Sequence, residues 1–344
     1  MPGFWQDELM REEPLLFVKQ PGTPPSGTLL FRVRKISRVT DTAGRIEYRE
    51  GRDFRLGPDR RRITLTPESR IPVLDAKALI REPGSPNSHR GFRPEDPHRL
   101  VDDHCFAPLQ PRFTYYHDPW DGRVPPGFSE LVPLTLGKLQ RKEKLRLVVF
   151  GDGISAGCAA TGVLGIPPYL PCYAQQVAAE LASRFGAKVL CRNISEGGMC
   201  ASWARRNIDR VLVENPDLLV LAWGMNDASE RVTPRSYLDD LSSIMQTVRR
   251  ANGQAEFLLV STMHANPEWT FSCPSLCERY LAGLVQLTGP GVALADLTTV
   301  WAELMKRKSY LDLTGNGLNH PNDFGHRVYA QVILAALLNG TGSS

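Results

Sequence analysis

The sequence predicts an α/β domain, in which helices cover both faces of a parallel sheet, preceded by a smaller β-sandwich domain. Up to residue 140 the chain carries most of its prolines, and its apolar segments are short and often alternate with polar residues, as half-buried strands do. Beyond residue 145, continuous apolar runs alternate with helical patterns, which is typical of a parallel sheet. The polar, charged stretch 137–144 separates these two kinds of sequence pattern. We therefore expect a jelly-roll-like β-sandwich at 1–140 and the α/β domain at 145–344.

The N-terminal strands are expected where apolar residues stand between clusters of turn-forming residues. The four strands predicted in this way are 15–18, 29–33, 46–48 and 63–66. The stretch 81–121 is rich in Pro, His and Asp and has little periodicity, so it is predicted to be an extended loop draped over the second domain.

Each element of the second domain follows from its own pattern. Apolar runs predict strands, and stripes of apolar residues three or four apart predict helices. The predicted strands are 147–150, 188–191, 218–222, 257–261 and 292–295, and the predicted helices are 173–185, 201–213, 237–251, 277–287 and 326–338. Gly186 follows the first of these helices and is expected to end it, because glycine readily adopts the left-handed conformation found there.

Composition and charge argue against several classes of function. The formal net charge of +4 over 344 residues is too small to indicate nucleic-acid binding, and no apolar run approaches the roughly 20 residues that span a bilayer. No signal peptide is visible, so a cytoplasmic location is expected, or a secreted one if a leader has been removed. Cys273, Cys277 and His264 lack a second pair of zinc ligands at suitable spacing, so neither a metal nor a cofactor is expected. The oligomeric state stays open.

Four short segments stand in a fixed order at the ends of predicted strands or the starts of helices, where reactive groups gather in open α/β sheets. They read Gly151-Asp152-Gly153-Ile154-Ser155, Asn193-Ile194-Ser195-Glu196-Gly197-Gly198, Gly224-Met225-Asn226-Asp227 and Asn319-His320-Pro321-Asn322-Asp323. In this order they resemble the four blocks of the SGNH (GDSL) hydrolases, and the N-terminal half is similar in composition to the β-sandwich of two-domain carbohydrate acetyl esterases. The resemblance implies a flavodoxin-like fold and an ester hydrolase. One residue departs from it, because this chain has Gly-Asp-Gly at 151–153 where the family has Gly-Asp-Ser.

The resemblance implies a role for each block. Position 153, which is glycine here, would carry the nucleophile. The oxyanion hole would consist of hydrogen-bond donors from Gly153, Gly198 (with Gly197 as the alternative) and the Asn226 amide. The supporting residues of these loops would be Asp152, Gly197, Gly224 and Asp227. Without the resemblance, the two glycines of the second block would form only a tight turn, and Asn226 would cap the following helix.

His320 is the candidate general base, since imidazole exchanges protons near neutral pH. The family usually places an aspartate three residues before this histidine to orient its ring, and here that residue is Gly317. Asn316, or a carbonyl group near it, is expected to hold the ring instead, as in relatives that resemble Ser–His dyads. The predicted catalytic set is therefore position 153, His320 and Asn316. The alternative for His320 is an ordinary loop histidine.

Other reactive side chains near these blocks are expected to be structural or to line the pocket. Ser155 should point away from position 153 around the helix axis, and nothing in the sequence marks Cys158 as an activated thiol. His326 is predicted to be structural, and His264 to lie at the same rim of the sheet. Five aromatic residues offer either a stacking surface for a sugar ring or core packing: Trp203, Trp223, Trp269, Tyr115 and Tyr116.

We therefore expect a serine-type ester hydrolase scaffold for short acyl groups, with carbohydrate acetyl esters as substrates. Without a hydroxyl at position 153, through alteration or natural loss, it is expected to be inactive or weakly active. One alternative is a carbohydrate-binding pseudoenzyme whose β domain supplies the affinity. The other is a nucleotide-dependent oxidoreductase, because 151–157 imitates a dinucleotide-binding turn. Against the latter, the nearest suitable ribose-binding acid, Glu196, comes more than twice as late as the roughly 20 residues expected.

Overall fold

A computed structural model of the protein describes residues 1–89, 98–100 and 106–340. Its N-terminal part consists mainly of short strands: β1 Leu9–Pro14, β2 Val18–Lys19, β3 Ser26–Thr28, β4 Val33–Thr40, β5 Phe54–Leu56, β6 Arg62–Leu65, β7 Leu74–Asp75, β8 Ile80–Arg81, β9 Ser88–His89, β10 His98–Leu100 and β11 Arg112–His117. Three antiparallel three-stranded sheets have the orders β8-β10-β9, β1-β11-β4 and β3-β6-β5. The last two share a core at Phe113, whose ring centroid lies 5.6 Å from that of Phe54. A β-rich part therefore precedes the α/β fold, as predicted.

The N-terminal strand predictions are only partly confirmed. The prediction 63–66 matches β6, but only Val18 of 15–18 lies in a strand, and 46–48 makes one isolated bridge, from Glu47 to Thr40. Leu15 and Leu29 lie in connecting segments and are fully buried. In this region an apolar run therefore indicates burial but not a strand. The loop predicted over 81–121 is wrong at β11, the central strand of its sheet. Residues 90–97 and 101–105 of that prediction lie outside the described residues.

The second part is an α/β fold on a five-stranded parallel sheet. Its strands are β12 Leu145–Gly151, β13 Val189–Asn193, β14 Leu218–Ala222, β15 Glu256–Val260 and β16 Val292–Ala295. The order β13-β12-β14-β15-β16 is the flavodoxin-like one, and every pair is parallel. The strand order reverses between β12 and β14, so the carboxyl ends of these two strands border the crevice in which such folds bind ligands.

Helices cover both faces of this sheet. They are α1 Pro133–Gln140, α2 Gly153–Ala156, α3 Thr161–Leu164, α4 Tyr173–Phe185, α5 Ala201–Arg206, α6 Asp209–Leu212, α7 Met225–Ser229, α8 Pro234–Ala251, α9 Pro274–Leu287, α10 Leu297–Met305, α11 Tyr310–Leu313 and α12 Asp323–Leu338, with 3₁₀ turns at Ala76–Leu79, Ala107–Leu109 and Ser129–Leu131. Along β12, Leu147 and Val149 face the core under α4 and α12, whereas Val148 and Phe150 face the core under α5 and α8. A strand buried on both faces explains its continuous apolar sequence. Among the described helices, none has the length and apolar character needed to cross a membrane.

The sequence locates the long helices well and the short ones poorly. The predictions for α4 and β14 match to the residue, and Gly186 ends α4 with a φ of 62°. The single helix predicted over 201–213 is wrong, because the chain breaks at Asn207, whose side chain turns back to the Trp203 carbonyl. Helix α10 was not predicted, although Asp296 caps it through the Thr299 N–H.

A buried ion cluster joins the β-rich part to the α/β part. Lys308, which follows α10, donates a hydrogen bond to Glu13 of β1 and lies 3.7 Å from the carboxylate of Asp312, and these side chains are at most 2% exposed. Glu13 also accepts hydrogen bonds from the Tyr115 hydroxyl and, at 2.8 Å, from the Leu30 N–H. The packing of the two parts therefore depends on charges that water does not reach. The division into domains at residues 140–145 stays a prediction.

We predict that Lys308→Met lowers the free energy of unfolding by about 3–5 kcal/mol, because it leaves the Glu13 carboxylate buried without its cation. Urea denaturation measures the change. The matched control is Lys306→Met, since Lys306 is 67% exposed and pairs with Glu303 at the surface, where an ion pair contributes less than about 1 kcal/mol. Equal losses in both variants would contradict the prediction.

Candidate active site

Three of the four sequence blocks meet at the crevice between β12 and β14. Gly153 begins α2 directly after β12, and a Cβ atom added to it would lie 3.0 Å from Nε2 of His320. The same point would be 3.4 Å from Sγ of Cys158 and 3.6 Å from Cα of Gly197. The structure therefore places the His320 imidazole beside residue 153, the position at which the SGNH hydrolases carry their nucleophile. The two residues are 167 positions apart in the sequence.

The first block is shaped by close packing as well as by chemistry. A Cβ on Gly151 would lie 2.5 Å from the Ala222 carbonyl oxygen and 2.3 Å from Oγ of Ser155, so only glycine fits there. Asp152 caps α2 by accepting the Ile154 N–H at 3.0 Å. The Ser155 hydroxyl is buried and hydrogen-bonds that of Tyr173 at 2.7 Å, so it is engaged away from the crevice.

Two buried carboxyl groups support the loops around the crevice. Burial raises the pKa of Asp152 to about 6 and that of Asp227 to about 7. Asp227 accepts the Ala201 N–H at 3.0 Å, which ties the loop after β14 to the start of α5. Both groups hold backbone in place, and neither is exposed by more than 3%.

The candidate oxyanion donors come from three loops. Gly197 and Gly198 are exposed, and within the described residues neither N–H donates a hydrogen bond. Gly198 has a φ of 76°, a conformation that favours glycine, while Gly197 lies nearer to Gly153. Asn226 donates one amide hydrogen to the Met199 carbonyl at 3.1 Å, which holds its carboxamide next to the second block and leaves the other hydrogen of the amide for a ligand.

Asn316 contacts the imidazole, and its own orientation is fixed by the backbone. Its Oδ1 accepts the N–H groups of Leu318, Asn319 and His320 at 3.0–3.1 Å. Its Nδ2 lies 3.0 Å from Nδ1 of His320. Turning the amide over would set Nδ2 against three N–H groups, at a cost of roughly 1–3 kcal/mol for each lost partner. The amide nitrogen therefore faces the ring.

An aspartate cannot take the place it usually has in the family. Gly317 has a φ of 73°, and a Cβ there would lie 2.6 Å from the Phe106 ring. Asp312, the nearest upstream acid, accepts the Leu16 N–H at 2.6 Å and pairs with Lys308, so it serves the contact with the β-rich part.

The remaining candidates lie in the core or away from the crevice. His326 is buried against the Cys158 carbonyl at 3.2 Å, and burial lowers its pKa to about 4. Trp223 and Tyr115 are at most 1% exposed, which rules out sugar stacking by these two rings. His264 is also buried, and burial lowers its pKa. Across the residues that the structure describes, no group of three or more His, Cys, Asp or Glu could hold a metal ion.

Cys158 is the side chain whose position the sequence did not reveal. Its sulfur would lie 3.4 Å from a Cβ at residue 153, because the chain turns back after α2, at Gly157 with a φ of 94°. In the sequence, Gly157 was the one signal of this turn, because glycine commonly ends a helix.

The chain is similar to several known proteins. A family model described as the GDSL-like Lipase/Acylhydrolase family matches residues 149–328. Similar solved structures include a two-domain esterase active on acetylated mannans, with 21% identity, a TM-score of 0.48 and coverage of 61% of this chain and 53% of that one. An acetyl xylan esterase of Geobacillus stearothermophilus has 15% identity, a TM-score of 0.44 and coverage of 58% and 97%. The match thus spans about half of the two-domain esterase. No curated protein matches the chain.

We predict that Asp152 and Asp227 contribute a loss of stability as the pH rises from about 5 to 8, opposed below about pH 6.5 by the gain from buried His326, and that Asp227→Asn reduces this loss. The folded-state pKa values of Asp152 and Asp227 lie above the ordinary value of 3.8, so their neutral forms favour folding. That contribution is complete below about pH 4 and is lost as the pH passes about 6 and about 7. The measurement is the free energy of unfolding against pH. The control is Asp239→Asn, whose side chain is 74% exposed, and an equal effect of both substitutions would contradict the prediction.

Proposed function

The chain belongs to the GDSL-like lipase/acylhydrolase family, and on this premise we propose that it is an ester hydrolase scaffold that binds short acyl esters at position 153. We further propose acetyl esters of carbohydrates as its substrate class. Because residue 153 is glycine, the protein binds these esters and turns them over slowly or not at all.

One observation carries the proposal: a Cβ at residue 153 would lie 3.0 Å from Nε2 of His320. This Cβ contact is tighter than usual, so the imidazole must shift slightly, and a hydroxyl carried on that Cβ would then be within hydrogen-bond reach of the ring nitrogen. The contact joins residues from the two ends of the α/β part, and no packing requirement explains it, since Gly153 has neither positive φ nor a backbone clash.

The donors around the crevice suit the carbonyl oxygen of an ester. The Asn226 amide and the exposed backbone of Gly197 and Gly198 can stabilise negative charge that develops on that oxygen. With no side-chain hydroxyl at residue 153, no acyl-enzyme forms there, and only water can attack the carbonyl carbon. Loss of the nucleophile usually removes most of the rate in such a set.

The shape of the crevice supports a small acyl group and a larger alcohol. Cys158, His320 and Gly197 all lie within 3.6 Å of the Cβ position at residue 153, which limits the space on that side. Gly198 is exposed, and a Cβ there would meet nothing within 4 Å, so the space beside it is open to a bulky group such as a sugar. Of the five candidate aromatic residues, Tyr116 is the one that is exposed, at 44% on β11, and it is available to a glycan on the β-rich part.

We predict that Gly153→Ser gives turnover of 4-nitrophenyl acetate and of an acetylated oligosaccharide at least about tenfold above that of Gly153→Ala. Both variants add the same Cβ, which moves the His320 ring by a few tenths of an ångström, but only serine adds a nucleophile. The alanine variant therefore controls for the crowding. If Cys158 holds the serine in an unproductive rotamer, the double variant Gly153→Ser/Cys158→Ala tests the same point.

The proposal is wrong if no folded serine variant, including Gly153→Ser/Asn316→Asp, turns over either ester faster than the alanine control. Turnover of the aryl ester alone would support an ester hydrolase scaffold and overturn the carbohydrate assignment.

A further inference from the structure

Every hydrogen-bonding position of the Asn316 carboxamide is occupied, and this decides where the proton of the neutral imidazole lies. Oδ1 accepts three backbone N–H groups, so it has no capacity left for the ring. The two hydrogens of Nδ2 go to Oδ1 of Asn319 and to Nδ1 of His320, each at 3.0 Å. Nδ1 is therefore an acceptor. A neutral imidazole has one N–H, which must then be on Nε2.

We infer that Asn316 holds neutral His320 as a hydrogen-bond donor through Nε2, so that the crevice at residue 153 binds a short carboxylate instead of activating a nucleophile. The inference rests on the proposed function of the same site and names a second ligand class for it. In a triad an acceptor faces Nδ1 and leaves the lone pair on Nε2 for the nucleophile. Here a donor faces Nδ1, so Nδ1 accepts a hydrogen bond and Nε2 donates one, the reverse of a triad.

A carboxylate matches the groups that surround position 153. It offers acceptor oxygens only, and it is the acid that cleavage of a short ester would release. One oxygen can accept the Nε2–H of His320, and the other can accept the second amide hydrogen of Asn226 or a glycine N–H of the second block. Ionised acceptors form the stronger hydrogen bonds with such donors.

The same geometry argues against Cys158 as a replacement nucleophile. A thiolate–imidazolium pair requires a proton on Nδ1 as well as on Nε2. That proton would point at the Nδ2–H of Asn316 from 3.0 Å, donor against donor. The tautomer inferred for His320 is therefore not the one that a thiolate–imidazolium pair requires.

The direct test is the ¹⁵N NMR spectrum of His320, recorded on the full chain at a pH where the ring is neutral. We expect the Nε2–H tautomer in the parent protein. Asn316→Asp should convert it to the Nδ1–H tautomer, because one carboxylate oxygen keeps the backbone N–H groups and the other accepts from the ring, while the Asn319 amide turns to donate. Asn319→Asp is the matched control. It adds the same charge, keeps an acceptor for Asn316 Nδ2, and should retain the Nε2–H tautomer.

Ligand binding gives a second readout. Titration with sodium acetate against sodium chloride, followed by NMR, should show saturable shifts at Gly153, Asn226 and His320 in the parent. Asn316→Asp should weaken acetate binding at least about tenfold relative to Asn319→Asp, because Nε2 loses its hydrogen. Equal affinity in the two variants, or shifts that chloride reproduces, would overturn the inference.

Turnover separates this inference from the proposed function. With serine at 153, Asn316→Asp should raise kcat at least about tenfold over Gly153→Ser alone, since the lone pair of Nε2 becomes available to the hydroxyl. An Nδ1–H tautomer in the parent overturns the inference even if Gly153→Ser is active. Inactivity of every serine variant, with the Nε2–H tautomer and acetate binding as expected, overturns the proposed function and leaves the tautomer assignment in place.

Discussion

The geometry of the crevice depends on one side chain, that of Asn316. By accepting three consecutive backbone N–H groups it closes the loop that carries His320, and by donating to Nδ1 it sets the plane of the ring. It is only 2% exposed, so water does not compete for these bonds. The hydrogen bonds of Asn316 therefore set both the position of the His320 ring and which of its nitrogens carries the proton.

The two glycines of the first block are under different constraints. Gly151 is required by packing, because the Ala222 carbonyl and Ser155 leave no room for a Cβ. Gly153 is not, since an added Cβ would meet only the end of the His320 side chain and the sulfur of Cys158 at close range. The fold thus needs the first glycine, whereas the second is a chemical difference that the scaffold tolerates.

The β-rich part contributes to the crevice without lining it. Arg112 of β11 pairs with Asp323 at 2.7 Å, and Asp323 also accepts the Thr161 N–H at 2.9 Å. Asn322 caps α12 and donates to Gln110 of the connecting segment. These contacts fix the start of α12 shortly after His320. They give Asn322 and Asp323 of the fourth block a structural role. The Lys308 cluster is a second set of charged contacts that joins the β-rich part to the α/β part.

The sequence by itself determined the parallel α/β fold, because strands buried on both faces leave continuous apolar runs and long amphipathic helices leave a regular stripe. It also indicated that Gly153, His320 and Asn226 belong to one site, since ordered blocks at strand ends must meet at one edge of a sheet. Tertiary structure alone decided the strands of the β-rich part, where buried connections such as 15–17 carry the same apolar residues as strands. It alone brought Cys158 next to position 153 and turned the Asn316 amide nitrogen toward Nδ1. The direction of a carboxamide follows from which backbone N–H groups surround its oxygen, and residue identity does not specify that.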